Sequence, residues 1–242
     1  VLMDAKDGAL TLVATDLDIE AVDSADARIA SEGAITAPAG TLFDVIRKLP
    51  AGADVELELN PENRRLTIRS GRSKFELPTL PASDFQTMTG DDSATRFNVD
   101  AADLRRLIDK TRFAISTEET RYYLNGVYLH AADGDKQQKV LRAVATDGHR
   151  LALADAPAPK GAEALEGVIV PRKTVGELNR LLSDDEAVIQ VGVSETKVRF
   201  RANGVSLISK VIDGSFPDYT RVIPQGNTKK MEVDASDFAK AV

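Results

Sequence analysis

The feature that most restricts this chain is that it copies itself. Val1-Leu-Met-Asp-Ala5-Lys-Asp7-Gly8 matches Val127-Tyr-Leu-His-Ala131-Ala-Asp133-Gly134, and Leu10-Thr-Leu-Val-Ala-Thr-Asp16 matches Leu141-Arg-Ala-Val-Ala-Thr-Asp147. Thr41, Asp44, Val45, Arg47 and Leu49 match Thr174, Glu177, Leu178, Arg180 and Leu182. Asp84-Phe85 matches Asp218-Tyr219, and Val99-Asp-Ala-Ala-Asp-Leu104 matches Val233-Asp-Ala-Ser-Asp-Phe238. The offsets of 126, 131, 133, 134 and 134 only grow, as small loop insertions in the later copy would make them, the first at a polar hairpin tip, 135–139. A period of about 130 residues is far longer than a solenoid repeat, so each copy is expected to be a domain with its own core. The copies are out of phase with the chain ends. This divides the chain into 1–94, 95–228 and the opening of a third copy at 229–242, and it reads as an internal piece of a protein with at least three such domains. The first residues, VLMDAKDGAL, fit that reading: they lack an initiator Met and open in a strand.

Composition removes several kinds of chemistry. The 242 residues contain no cysteine, which excludes disulfides, a thiol nucleophile and Cys-ligated metal, and fits a reducing cytoplasm. Only two histidines are present, His130 and His149, so a multi-histidine metal cage is excluded. No G-x-x-x-x-G-K-[ST] or G-x-G-x-x-G run occurs, and no cofactor is expected. No apolar run approaches a membrane span and no signal peptide is visible, so no membrane partner is expected. The net charge of −7 argues against a broadly basic surface. It leaves room for local basic lining inside an acidic shell, because attraction for phosphate depends on local Lys and Arg.

Strand patterns dominate at 9–15, 19–22, 54–59, 65–70, 74–78, 126–131, 140–146, 187–193, 197–201 and 205–212. Helical spacing appears at 41–49, 173–182 and 100–113, the last with Leu104, Leu107 and Ile108 on one stripe and Asp100 as N-cap. Runs of strands with two short helices per unit predict an α+β domain built on antiparallel sheet. Basic residues lean toward the helices: Arg105, Arg106, Lys110 and Arg112 on one, Arg172, Lys173 and Arg180 on another, Arg47 and Lys48 on the third. Residues 1–32 instead carry eight acidic side chains against Lys6 and Arg28. Taken alone, such charge also fits ordinary solvated helix faces.

Four segments carry a family resemblance: Arg121-Tyr-Tyr-Leu-Asn-Gly126, Val144-Ala-Thr-Asp-Gly-His-Arg-Leu151, Val168-Ile-Val-Pro-Arg-Lys173 and Phe216-Pro-Asp-Tyr219. With Ser70-Gly-Arg-Ser-Lys-Phe75 and Leu80-Pro-Ala-Ser-Asp-Phe85, they make the chain resemble, over essentially its whole length, the β subunit of bacterial DNA polymerase III, the sliding clamp. The resemblance implies a DNA-clamp fold with three similar domains per subunit. Two subunits close head to tail around duplex DNA, with helices lining the hole and sheets forming the wall. Against that pattern the chain lacks roughly thirty residues at its start and most of the third domain.

The implied function is a non-catalytic processivity factor that holds double-stranded DNA by topology, its lining attracting phosphates without reading bases. Helix geometry puts Arg105, Arg106 and Lys110 toward DNA, and the resemblance adds Arg72, Arg121, Tyr122, Tyr123, Arg172 and Lys173. Thr117-Glu118-Glu119, where relatives carry polar or basic residues, departs from that pattern and is expected to repel phosphate. The resemblance also implies a pocket for short apolar peptide tails, lined by Leu124, Thr146, Gly148, His149, Arg150, Leu151, Pro217, Arg221 and Val222. Its implied partners are the polymerase III α subunit, the clamp loader, translesion and repair polymerases, ligase and mismatch-repair proteins. Two rival readings stay open here: a hydrolase using Asp147 and His149, and a peptide-binding scaffold that never meets DNA. The first copy has Leu17-Asp18-Ile19 where the second has Gly148-His149-Arg150, so the second copy alone is specialised at that turn.

Overall fold

The structure is a computed structural model that describes residues 1–88, 93–134, 138–182 and 187–241. The first unit runs β1 (Leu2–Lys6), β2 (Ala9–Thr15), β3 (Ile19–Asp26), β4 (Gly33–Thr36), α1 (Ala39–Ile46), β5 (Glu56–Asn60), β6 (Arg65–Ser70), β7 (Ser73–Pro78) and β8 (Leu80–Pro81). The second runs β9 (Thr95–Asp100), α2 (Ala101–Thr111), β10 (Gly126–Asp133), β11 (Lys139–Thr146), β12 (Leu151–Pro157), β13 (Val168–Pro171), α3 (Arg172–Leu181), β14 (Val188–Val193), β15 (Lys197–Ala202) and β16 (Val205–Lys210). A last helix, α4 (Ala235–Ala241), starts 134 residues after α2. The hairpin tip expected at 135–139 lies largely outside the described residues.

The two units share one strand plan. In the first, β4-β1-β2-β3 form one run and β5-β6-β7 another; in the second, β13-β10-β11-β12 and β14-β15-β16 repeat both orders. The registers coincide as well. Leu2 faces Val13 as Tyr128 faces Val144, and Thr15 faces Glu20 as Thr146 faces Leu151. One expectation is corrected. The offset does not grow steadily, because Glu56 opposite Arg69 corresponds to Gln190 opposite Arg201, which gives 134 on one strand and 132 on the other. The turn after β5 is two residues longer than the turn after β14, and insertions occur in both copies.

Each unit buries its own core. In the second, the α2 stripe of Leu104, Leu107 and Ile108 packs with Leu141, Leu178, Ile189 and Phe200. In the first, Met3, Leu42, Leu66, Ile68 and Leu77 form a smaller cluster. Asp100 does precede α2, but its side chain makes no capping bond; Ala101 N instead donates to Ala187 O at 2.9 Å.

The units join edge to edge. β3 pairs antiparallel with β16, from Ile19 opposite Ser209 to Val22 opposite Ser206, making one nine-stranded sheet. The β2–β3 turn then clasps the second unit, since Lys173 pairs with Asp16, and Lys210 Nζ lies 3.0 Å from Asp18 Oδ1. The bond from Lys173, with two backbone N–H donors, holds the Asp16 carboxyl at about 2, below its ordinary 3.8. A depressed carboxylate stabilises above its unfolded pKa and loses that contribution as pH falls through the folded value. The melting difference between wild type and Asp16→Asn is therefore expected to hold from neutral pH to about pH 4 and to close toward pH 2. It should also shrink in high salt, because the pair is exposed. A difference independent of pH would remove Asp16 from the clasp.

Candidate functional site

The turn between β11 and β12 is built by its own side chains. Thr146 Oγ1 donates to Arg150 O at 2.7 Å and accepts from Gly148 N at 3.1 Å. Asp147 Oδ1 accepts from His149 N at 2.9 Å and Arg150 N at 3.0 Å, while Oδ2 accepts from Arg150 Nε at 2.9 Å. These N–H donors hold the Asp147 carboxyl at about 2. Such a group is a poor general base near neutrality, which argues against the hydrolase reading. The first unit repeats the scaffold bond for bond. Thr15 Oγ1 donates to Ile19 O and accepts from Leu17 N, and Asp16 Oδ1 accepts from Asp18 N and Ile19 N. The outward side chains differ, and so do their surroundings: the first turn is clasped by Lys173 and Lys210, whereas Gly148, His149 and Arg150 are exposed.

The chain before β10 backs this turn. Arg121 grips Glu118 through two bonds, Nε to Oε2 at 2.8 Å and Nη2 to Oε1 at 2.5 Å, and the Arg121 guanidinium holds the Glu118 carboxyl below its ordinary range. The same guanidinium lies against Gly148, where a Cβ would come within 2.4 Å of Nη1. Glu118 is thus paired with Arg121. Arg150 sits 5.6 Å over the ring of Phe113, which is 57% exposed and which the sequence left unassigned because it lies past the helical stripe.

A third segment, 211–222, is pinned by aromatics. Phe216 stacks on Tyr128 at 4.9 Å, Tyr128 stacks on His130 at 4.6 Å, and His130 Nε2 lies 3.0 Å from the Tyr219 hydroxyl. Burial lowers the His130 pKa below its ordinary value. Arg142, bidentate to Asp155 at 2.7 Å, also donates to the Tyr219 hydroxyl. Gly214 then rests on Tyr123 and Tyr122, a Cβ there falling 3.1 Å from Tyr123 Cβ. The turn, the 118–124 segment and the 211–222 segment therefore form one contiguous region. Pro217, Arg221 and Val222 are exposed on it, with Arg221 paired to Asp218 at 2.8 Å. Leu151 is half-buried. Leu124, expected in the pocket wall, is enclosed at 4% exposure; the open apolar surface comes from Phe113, Tyr122 and Val222.

The basic residues divide by partner. Arg106 Nη2 donates to Asp155 O at 2.9 Å and Asp103 Oδ1 at 3.2 Å, Lys173 is held by Asp16 and Arg121 by Glu118. Arg105 is half-buried beside the core. Arg72, Lys110 and Arg172 are exposed, the last two on α2 and α3, which pack against each other. Tyr122 is 54% exposed, and its ring meets Tyr123 edge-on at 5.8 Å. Among the described residues, no helix is long and apolar enough to cross a membrane.

Residues 1–89 match the family model for the DNA polymerase III beta subunit, N-terminal domain, and residues 98–218 match the model for its central domain. A beta sliding clamp of Caulobacter vibrioides is 54% identical over all 242 residues, and one of Escherichia coli K12 is 40% identical over 237 residues. This chain spans 65% of the first relative's length and 62% of the second's. Among solved structures, a Caulobacter crescentus beta sliding clamp aligns with a TM-score of 0.95 at 55% identity, covering 99% of this chain and 64% of that one. A Bartonella birtlesii sliding clamp bound to griselimycin aligns at 0.93 and 48% identity, covering 100% of this chain and 64% of that one.

Proposed function

Since the chain belongs to the DNA polymerase III beta subunit family, the sliding clamps, we propose that the protein is a non-catalytic processivity factor that encircles duplex DNA. The observation that carries this reading is the junction. β3 of one unit pairs with β16 of the next, and the equivalents of those strands, β12 and β7, are sheet edges among the described residues. An exposed edge offers unpaired backbone donors and acceptors to another strand. Repeating the same pairing at both edges adds units head to tail, and a series of like units that curves closes into a ring. In this reading 1–94 and 95–228 are two clamp domains, 229–242 opens a third, and two subunits complete a homodimeric ring in the cytoplasm.

The hole would be lined by α2 and α3, with Lys110, Arg172 and Arg72 as the cations best placed to meet phosphate and Tyr122 as the ring at the DNA side. Arg106 and Lys173 would support that lining through the contacts described above and Arg105 from its half-buried place on α2, while Arg121 would back the Gly148 turn. The exposed Gly148–Arg150 turn, with Phe113, Leu151, Pro217, Arg221 and Val222, would receive apolar peptide tails. Apolar wall gives affinity, and the Arg150 and His149 donors orient the peptide carbonyls. Polymerase III α, the clamp loader, repair polymerases, ligase and mismatch-repair proteins would compete for it.

The test is topological. The full-length protein, loaded onto a closed circular duplex, should stay bound through gel filtration at a salt concentration that abolishes ordinary phosphate attraction. Cutting the circle once should release it. Equal loss from circular and linear DNA would overturn encirclement.

A further inference from the structure

The 213–222 segment carries three residues of the proposed peptide site, Pro217, Arg221 and Val222, and side chains hold it in place. Val211 N donates to Thr196 O and Ile212 N to Ile169 O, both at 3.0 Å. Past them, the described ties to the second unit run through Gly214, Phe216 and Tyr219. Tyr219 is the anchor: it is 7% exposed, while Pro217, Asp218, Thr220 and Arg221 around it are exposed.

The Tyr219 hydroxyl belongs to a chain of bonds whose direction the geometry sets. His130 Nδ1 lies 2.7 Å from Ala131 O, a carbonyl that only accepts, so Nδ1 carries the ring proton. In the neutral ring Nε2 is then bare and accepts from the Tyr219 hydroxyl at 3.0 Å. That hydroxyl oxygen accepts in turn from Arg142 Nη1 at 3.4 Å, and Arg142 is bidentate to Asp155. A proton on Nε2 reverses the first bond. The hydroxyl would then face two donors, its own hydrogen would lose its acceptor, and a second cation would stand beside a guanidinium whose carboxylate is already engaged.

The duplication shows that this chain of bonds is an addition to the fold. By register and repeat, His130, Arg142 and Asp155 correspond to Asp4, Thr11 and Ser24, and Tyr219 corresponds to Phe85. The first unit keeps the same strand plan with a Thr11–Ser24 hydroxyl bond of 3.1 Å at those positions, and Phe85 has no hydroxyl to give. The hydroxyl–imidazole–guanidinium chain therefore occurs in the unit whose β11–β12 turn is also specialised.

Taking the Gly148–Arg150 region as the peptide site, we propose that His130 is a positioning residue for it: the neutral ring holds Tyr219 and with it 213–222, and proton uptake by the ring loosens that segment and weakens peptide binding. The groups around the ring set this equilibrium. Tyr128 stacks on it from β10, Arg142 stands opposite on β11, Asp155 lies behind Arg142 on β12, and Tyr219 closes it from the segment. The 165–167 loop offers backbone carbonyls, Leu165 O to Ala131 N and Glu166 O to the Tyr128 hydroxyl. Burial is the largest effect lowering the ring's pKa from 6.5, and the Arg142 charge lowers it further, against the Ala131 carbonyl and the Asp155 charge. Because the held state has the depressed pKa, the hold is complete above about pH 6.5 and is lost as pH falls through the held-state value.

The test is calorimetric titration of the full-length protein at pH 7.5 and pH 5.5 with an end-blocked peptide of Leu, Phe and Ser, which has no titrating group. One proton moves an equilibrium by at most about tenfold per pH unit, and the ratio of the two affinities is expected to be at least about threefold larger in wild type than in His130→Gln. Gln offers Tyr219 an oxygen acceptor and does not titrate. His149 is present in both proteins, so its own titration cancels. Tyr219→Phe keeps the aromatic ring and removes the hydroxyl; it should weaken binding at pH 7.5 by at least about threefold and show a ratio like that of His130→Gln. Equal ratios in wild type and His130→Gln, or the wild-type ratio retained in Tyr219→Phe, overturn the proposal and leave the peptide site standing. No binding by the wild type at pH 7.5 overturns the peptide site, and the proposal with it.

Discussion

Phe200→Ala is expected to cost about 3–5 kcal/mol in the second unit, the range for removing a fully enclosed aromatic side chain. Phe200 is 1% exposed on β15 and meets both helices and the opposing sheet, with Leu104, Leu107, Leu129, Val170 and Leu178 around it. The space left there can be closed only by moving α2 or α3 toward the sheet. The damage should also reach the first unit, because β15 pairs with β16 and β16 with β3 across the junction. Urea unfolding followed by circular dichroism measures this, with Phe43→Ala as comparator. Phe43 is 63% exposed on α1, and its truncation should change stability by no more than about 0.5 kcal/mol. Equal midpoints for the two variants would mean that the β15 face is not the centre of the second core.

The same contrast shows why some of the fold could be read from the chain and some could not. The repeat was legible because its turns are made by side chains: Thr15 and Asp16 make the same bonds as Thr146 and Asp147, so those residue types recur. The α2 stripe was legible because Leu104, Leu107 and Ile108 all meet one core. β12 escaped notice because Ala152, Ala154 and Ala156 carry no strand preference of their own; they are small where α2 lies across the strand. β13 is four residues long with Val168, Ile169 and Val170 all buried, so it shows no alternation. Charge was the least legible property. Residue type identifies a cation but not its partner, and Asp16 stands 157 residues from Lys173 in the chain. Arg106, Arg121 and Lys173 therefore read as DNA-facing although each is already bonded within the protein. The Arg121 partner of Glu118 was hidden for the same reason.

If the Gly148–Arg150 turn receives peptide tails as proposed, it yields the sharpest functional prediction, and the duplication supplies its control. Gly148 has φ +89, a conformation that costs an ordinary residue about 1–2 kcal/mol. Yet Leu17, its counterpart, holds φ 73 with a full side chain, so the turn itself tolerates a Cβ where nothing stands behind it. Behind Gly148 stands Arg121, fixed by two bonds to Glu118. Gly148→Ala must either break that pair or push the turn outward, carrying His149 and Arg150 with it. With the backbone cost included, a loss of about 1–3 kcal/mol is expected, or roughly 5- to 150-fold in affinity for an apolar tail peptide. Leu17→Ala should leave peptide affinity unchanged. Adding Arg121→Ala to Gly148→Ala should recover part of the loss, since the two changes share one contact and cannot add. Peptide titration across these four proteins separates the causes. Recovery in the double variant identifies the Arg121 collision, and a persistent loss identifies the backbone. Wild-type affinity in Gly148→Ala would mean that the turn does not meet the peptide at all.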